Sequence, residues 1–84
     1  MTNWLLNLTY PGEISKNRLE RVEEYLSNAR NSGVSAGYSL KEKKNPGKIY
    51  KMYFQSEDYD KIIIGREGLT RILGKPAKIK LKIK

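Results

Sequence analysis

The chain has 84 residues, with 17 Lys or Arg against 9 Asp or Glu, a net charge of +8 and a pI near 9.8. A domain of that size buries only about 60–65% of its unfolded surface, which leaves little room for a deep catalytic cavity. Cysteine and histidine are both absent, so disulfides, thiolate ligands, thiol nucleophiles and the commonest general base go together, and the composition favours binding to an anionic partner over catalysis.

The opening segment lacks the basic region and length of a signal peptide, and no apolar run approaches the ~18 residues of a membrane span. The expectation is a soluble cytoplasmic protein forming one domain over residues 1–84. Trp4, Leu6, Leu8 and Tyr10 alternate with Leu5, Asn7 and Thr9, the period of a half-buried strand. Pro11-Gly12 supplies a turn, Pro presetting φ and Gly accepting a positive value. Ser15 is a favourable helix N-cap, Ile14 is placed to staple onto Leu19, and Leu19, Val22, Leu26 and Ala29 recur at helical spacing up to Ser32-Gly33. Val34, Ala36, Tyr38 and Leu40 alternate as a second strand. Residues 49–54 form a third, with Tyr50, Met52 and Phe54 on one side and Ile49, Lys51 and Tyr53 on the other. Between them, residues 41–48 contain Asn45-Pro46-Gly47 and read as a mobile basic hairpin loop.

Ser56 is placed to cap a second helix whose first turn carries Glu57, Asp58 and Asp60, as the helix dipole favours. Tyr59, Ile62 and Ile63 supply its apolar face, although Lys61-Ile62-Ile63-Ile64 also fits a buried strand. Gly65 and Gly68 interrupt the pattern, and Leu69, Ile72 and Leu73 resume it up to Gly74-Lys75-Pro76. In the last strand Ala77, Ile79, Leu81 and Ile83 alternate with Lys78, Lys80, Lys82 and Lys84.

The order β-α-β-β-α-β specifies an α+β, ferredoxin-like (split βαβ) sandwich, with two helices on one face of a four-stranded antiparallel sheet. A KH type II-like arrangement is the alternative. In the sandwich the apolar members of every strand can face the helices together. Leu5, Asn7, Thr9, Lys51, Tyr53, Lys78, Lys80, Lys82 and Lys84 are then left on the open face, and the last strand lies at an edge.

Residues 41–51 carry a net charge of +4 and residues 75–84 carry +5, while the rest of the chain contributes −1. Lysines on one face of a strand stand about 6.5–7 Å apart, close to the phosphate repeat of an extended nucleic-acid strand. Protection of an edge strand from unwanted pairing also explains the last four lysines, but it does not require Lys41, Lys43 and Lys44.

The stretch Ile63-Ile64-Gly65-Arg66-Glu67-Gly68-Leu69 resembles the I-G-x-x-G signature of the KH family of RNA-binding domains, within residues 49–84. The resemblance implies a loop between two short helices, in which Gly65, Arg66 and Gly68 clamp a sugar-phosphate backbone. Glu67 and Arg71 depart from the family pattern. Read structurally, the same glycines permit close packing or a kink within a helix. The element order is also similar to the RRM family, whose open sheet stacks bases; of the third-strand aromatics only Tyr53 falls on the open face here, implying one stacking platform.

The expected function is a small nucleic-acid-binding module for RNA, the favoured partner, or single-stranded DNA, acting mainly on phosphates with little sequence specificity. Lys41, Lys43, Lys44 and Lys48 form its arm, and Lys51, Lys78, Lys80, Lys82 and Lys84 form its track. The alternative is a protein-interaction or inhibitor module docking on an acidic protein or nucleoprotein complex, of the kind found among accessory proteins of viruses and mobile elements. Acidic residues cluster on helix surfaces, where solvation and the dipole account for them. No catalytic residue, metal or cofactor is assigned.

Overall fold

A computed structural model describes residues 2–42, 44, 47–74 and 78–83. The elements are β1 (Trp4–Pro11), α1 (Lys16–Asn31), β2 (Ser35–Glu42), β3 (Lys48–Ser56), α2 (Tyr59–Leu73) and β4 (Lys78–Ile83). All strand pairs are antiparallel, in the order β2-β3-β1-β4, so the chain has the ferredoxin-like arrangement.

Strand alternation sorts side chains between two faces. Leu6 and Leu8 of β1, Ala36 of β2, and Tyr50, Met52 and Phe54 of β3 are buried beneath the helices, against Val22 and Leu26 of α1 and Ile62, Leu69 and Leu73 of α2. Each fully buried side chain of this size contributes about 1.5–3 kcal/mol from the area it removes from water. Ile14, buried ahead of the Ser15 cap, and the half-buried Leu19 belong to the same cluster. The Ser15 Oγ accepts the Arg18 amide at 3.3 Å, and Gly33 ends α1 at φ +94°.

Several boundaries differ from expectation. The β2–β3 ladder continues to the Glu42–Lys48 pair, so Lys41 and Lys48 lie in strands and not in a loop. Their β pairing persists because the Gly12 amide bonds the Lys48 carbonyl at 2.7 Å, anchoring the start of β3. Helix α2 is capped by Asp58, whose Oδ1 accepts the Asp60 amide at 3.0 Å; Ser56 stays in β3 and its Oγ instead accepts the Asp58 amide.

The largest difference concerns Gly65 and Gly68. Residues 59–73 form one uninterrupted helix, with neither a strand at 61–64 nor a loop at 65–68. Both glycines lie beyond the first turn, where amides are committed to the i→i−4 ladder. Their lack of a side chain serves packing. A β-carbon on Gly65 would press on the Phe54 ring at 3.2 Å, and one on Gly68 would overlap the Tyr25 ring and hydroxyl. That hydroxyl donates to the Ile64 carbonyl at 2.8 Å, tying α1 to α2.

The helix layer ends before β4. Helix α2 approaches β1 and β3 and α1 approaches β2, while neither brings a Cα within 8 Å of β4. Ile79, Leu81 and Ile83 therefore point to the helix side, opposite Leu8, Leu6 and Trp4, but remain exposed, contrary to their expected burial.

Two outcomes follow for stability. Gly68→Ala, which in an unhindered helix gains about 1 kcal/mol, is expected to lose about 1–3 kcal/mol here through overpacking, with recovery in a Tyr25→Leu background; urea unfolding measures both. The Tyr38 hydroxyl donates to Glu23 Oε1 at 2.6 Å, and that bond raises its pKa above the ordinary 10.0. The folded state thus holds the phenol proton more tightly, a contribution complete below pH 10.0 and lost as pH rises through the folded value. The fall in thermal midpoint between about pH 9 and about pH 11 should be smaller in Tyr38→Phe.

Candidate nucleic-acid interface

The face of the sheet away from the helices is built by the odd-numbered residues of β1, β2 and β3 and the even-numbered residues of β4, as the register requires. Three rows cross it. Lys82, Leu5, Gln55 and Ser35 form one; Lys80, Asn7, Tyr53 and Gly37 the next; Lys78, Thr9, Lys51 and Ser39 the third. Beyond them Lys41 pairs with Ile49, which pairs with Pro11. Adjacent strands are about 4.8 Å apart and successive same-face residues about 6.5–7 Å, so five ammonium groups spread diagonally from Lys82 to Lys41. All five of these lysines are exposed.

No acidic side chain lies on this face among the described residues. Of the nine in the chain, Glu42 is in a strand but shares the helix side with Lys48, and the other eight lie in helices or loops. The open face is therefore a one-signed surface, interleaved with neutral hydrogen-bonding groups from Asn7, Thr9, Ser39 and Gln55. Asn7, Thr9, Lys51, Lys78 and Lys80 together line a depression on it.

Tyr53 is the aromatic residue of this face and is 38% exposed. Its ring lies across Gly37 of β2, where a β-carbon would meet Tyr53 Cε1 at 3.0 Å. Glycine inside a strand often marks such a close approach. Here it lets one edge of the ring, at Cε1 and the hydroxyl, close onto the backbone of β2.

The predicted site residues do not all converge. Lys41, Lys51, Tyr53, Lys78, Lys80 and Lys82 share the open face. Lys44 is exposed at the bend between β2 and β3. Lys43 and Lys84 lie outside the described residues. Lys48 belongs to the helix side, where its Nζ contacts Glu13 Oε1 at 3.2 Å, and that bond raises its pKa. Arg66 is exposed on α2 and borders, with Thr70, Arg71 and Ile79, a depression between that helix and β4. Gly65 and Gly68 face the core and α1, away from the lysines. The site gains Gly37, Gln55, Ser35 and Ser39, which sequence reasoning missed. A lone glycine amid strand alternation was the available signal for Gly37.

Among the described residues no helix is long and apolar enough to cross a membrane. No protein-family model and no curated protein matches the chain. Solved structures share its fold at low identity. The whole chain superposes on LarC2, the C-terminal domain of a cyclometallase involved in synthesis of the NPN cofactor of lactate racemase, with TM-score 0.69 and 10% identity. It spans only 55% of that chain. The C-terminal domain of MgtC from Mycobacterium tuberculosis gives TM-score 0.60 at 7% identity, covering 100% of this chain and 88% of that one. Bacillus subtilis GlnK, in its ATP complex, gives 0.53 at 14%, covering 99% and 83%. At such identities the likeness concerns the fold alone.

The Tyr53–Gly37 contact has a spectroscopic consequence. One Gly37 Hα should be displaced from its ordinary position by the ring current of Tyr53, and Tyr53→Leu should abolish that displacement while leaving the fold unchanged, as read from a two-dimensional NMR spectrum.

Proposed function

We propose that the open face is a binding surface for single-stranded nucleic acid, RNA being the favoured form, and that the protein acts inside the cell as a binding module without catalytic chemistry. The observation that carries this is the distribution of charge: Lys41, Lys51, Lys78, Lys80 and Lys82 on a face without acids. An extended polyanion laid from Lys82 towards Lys41 meets ammonium groups at intervals comparable to its phosphate repeat, while Asn7, Thr9, Ser39 and Gln55 offer hydrogen bonds to sugar and phosphate oxygens. A base stacked on the exposed part of Tyr53 adds about 1–3 kcal/mol without selecting among bases. Contacts of this composition give affinity with little sequence preference.

The backbone clamp at 65–68 forms no part of this proposal, because those amides are committed within α2 and the segment lies in the helix layer. The arm reduces to Lys41 and Lys44 among the described residues, since Lys48 is engaged with Glu13.

Neutralisation of about five phosphates on a single strand predicts that log Kobs falls with log salt with a slope near −3.5. Replacing Lys78, Lys80 and Lys82 together by Gln should reduce the slope to about −1.4, as two phosphate contacts remain, with an unchanged circular dichroism spectrum. Fluorescence anisotropy with a labelled oligonucleotide across a salt series measures both. A flat salt response, or a triple variant that binds as the parent does, would remove the open face from consideration.

A further inference from the structure

Strand β4 bonds to β1 along one side only, so its other side presents backbone amides and carbonyls to solvent. On the helix side, Ile79, Leu81 and Ile83 are 41%, 39% and 68% exposed. The opposite edge differs. There Ala36 is buried in the core cluster, Tyr38 packs against that cluster and bonds Glu23, and α1 packs along the strand. Among the described residues β4 therefore combines a free edge with an apolar row whose three members are all exposed. On the helix side of β2, by contrast, Leu40 is the one exposed apolar residue. The β4 arrangement is open to a further strand.

Charge decides which strand fits. Two copies paired antiparallel about a two-fold axis would have their open faces on the same side, with the lysines of one opposite the lysines of the other. Like charges directly opposite are destabilising. A segment alternating carboxylates with aliphatic residues matches both faces at once. Its carboxylates meet Lys78, Lys80 and Lys82 on the open side, and its aliphatic side chains continue the row of Ile79, Leu81 and Ile83 on the other. The same alternation that repels a second copy thus selects a strand of complementary period.

We propose that the free edge of β4 is a strand-addition site for an extended segment of a partner protein in which acidic and aliphatic residues alternate. The site stands independently of the nucleic-acid surface. Because the two share Lys78, Lys80 and Lys82, occupation of one opposes occupation of the other.

The test uses the isotopically labelled full chain and an octapeptide of four Glu-Val repeats with blocked ends. Its block isomer, four Glu followed by four Val, has equal charge and composition but no alternation. Two further peptides carry N-methyl groups on every Glu or on every Val, removing the donors from one edge at a time. The alternating peptide should bind at least tenfold more tightly than its block isomer. It should slow hydrogen exchange at the β4 amides not bonded to β1, and one of the two methylated forms should lose binding. Equal affinity of the isomers, or full binding by both methylated forms, would reduce the interaction to unspecific charge and overturn the proposal. So would concentration-dependent dimerisation that protects the same amides without peptide. A single-stranded oligonucleotide producing that protection would likewise overturn it, assigning the edge to nucleic acid.

Discussion

Helix α2 rests on the Phe54 ring through Gly65 and on the Tyr25 ring through Gly68. This double seat governs how closely α2 approaches the sheet and α1. Any side chain at either position would lift α2 away from β3 or from α1 by a distance the close-packed core does not absorb without loss. With α2 drawn down over β3 and β1, and α1 held beside it through the Tyr25–Ile64 bond, the two helices cover three strands. The fourth stays largely open, Ile79 bordering a depression beside α2. The exposed apolar side of β4 lies beyond the reach of this layer.

The separation of charge follows from the same layering combined with strand period. A residue's parity within its strand decides whether it joins the core side or the open side, and all five described open-face lysines have the parity that avoids the helices. Burying any of them unpaired would cost far more than exposing it. The acids sit where helix dipoles, caps and solvent favour them, as Asp58 and Asp60 do at the start of α2. Each placement has a local cause, and the polarised molecule is their sum.

Much of this was legible from the chain. Element order, the sheet's open face, the edge position of the last strand and the identity of most core residues all rest on hydrophobic period, which is read directly from residue type. The misreadings share a different origin. Gly65 and Gly68 read as a break because glycine disfavours helix by propensity, yet a tertiary contact with Phe54 and Tyr25 outweighs that preference and no local pattern reports it. Lys41 and Lys48 read as loop because Asn45-Pro46-Gly47 dominates its neighbourhood, while the ladder beyond it is held from afar by Gly12. The exposure of Ile79, Leu81 and Ile83 was hidden for a similar reason. Alternation tells which side a residue faces and says nothing of whether anything stands there.

Strand β1 lies at the centre of the sheet although it comes first in the chain. Its Trp4 meets Ser56 on one flank and Ile83 on the other, so its partners are distant in sequence. A sheet so connected depends on pairings distant in sequence, and the intervening loops must close before those pairings stabilise anything. Strand β4 is held by its backbone ladder to β1 and contributes no buried side chain. With one strand partner and no buried side chain, it is the strand with the least to hold it against local opening. While it is open, β1 is itself an edge, and the sheet's central strand becomes accessible.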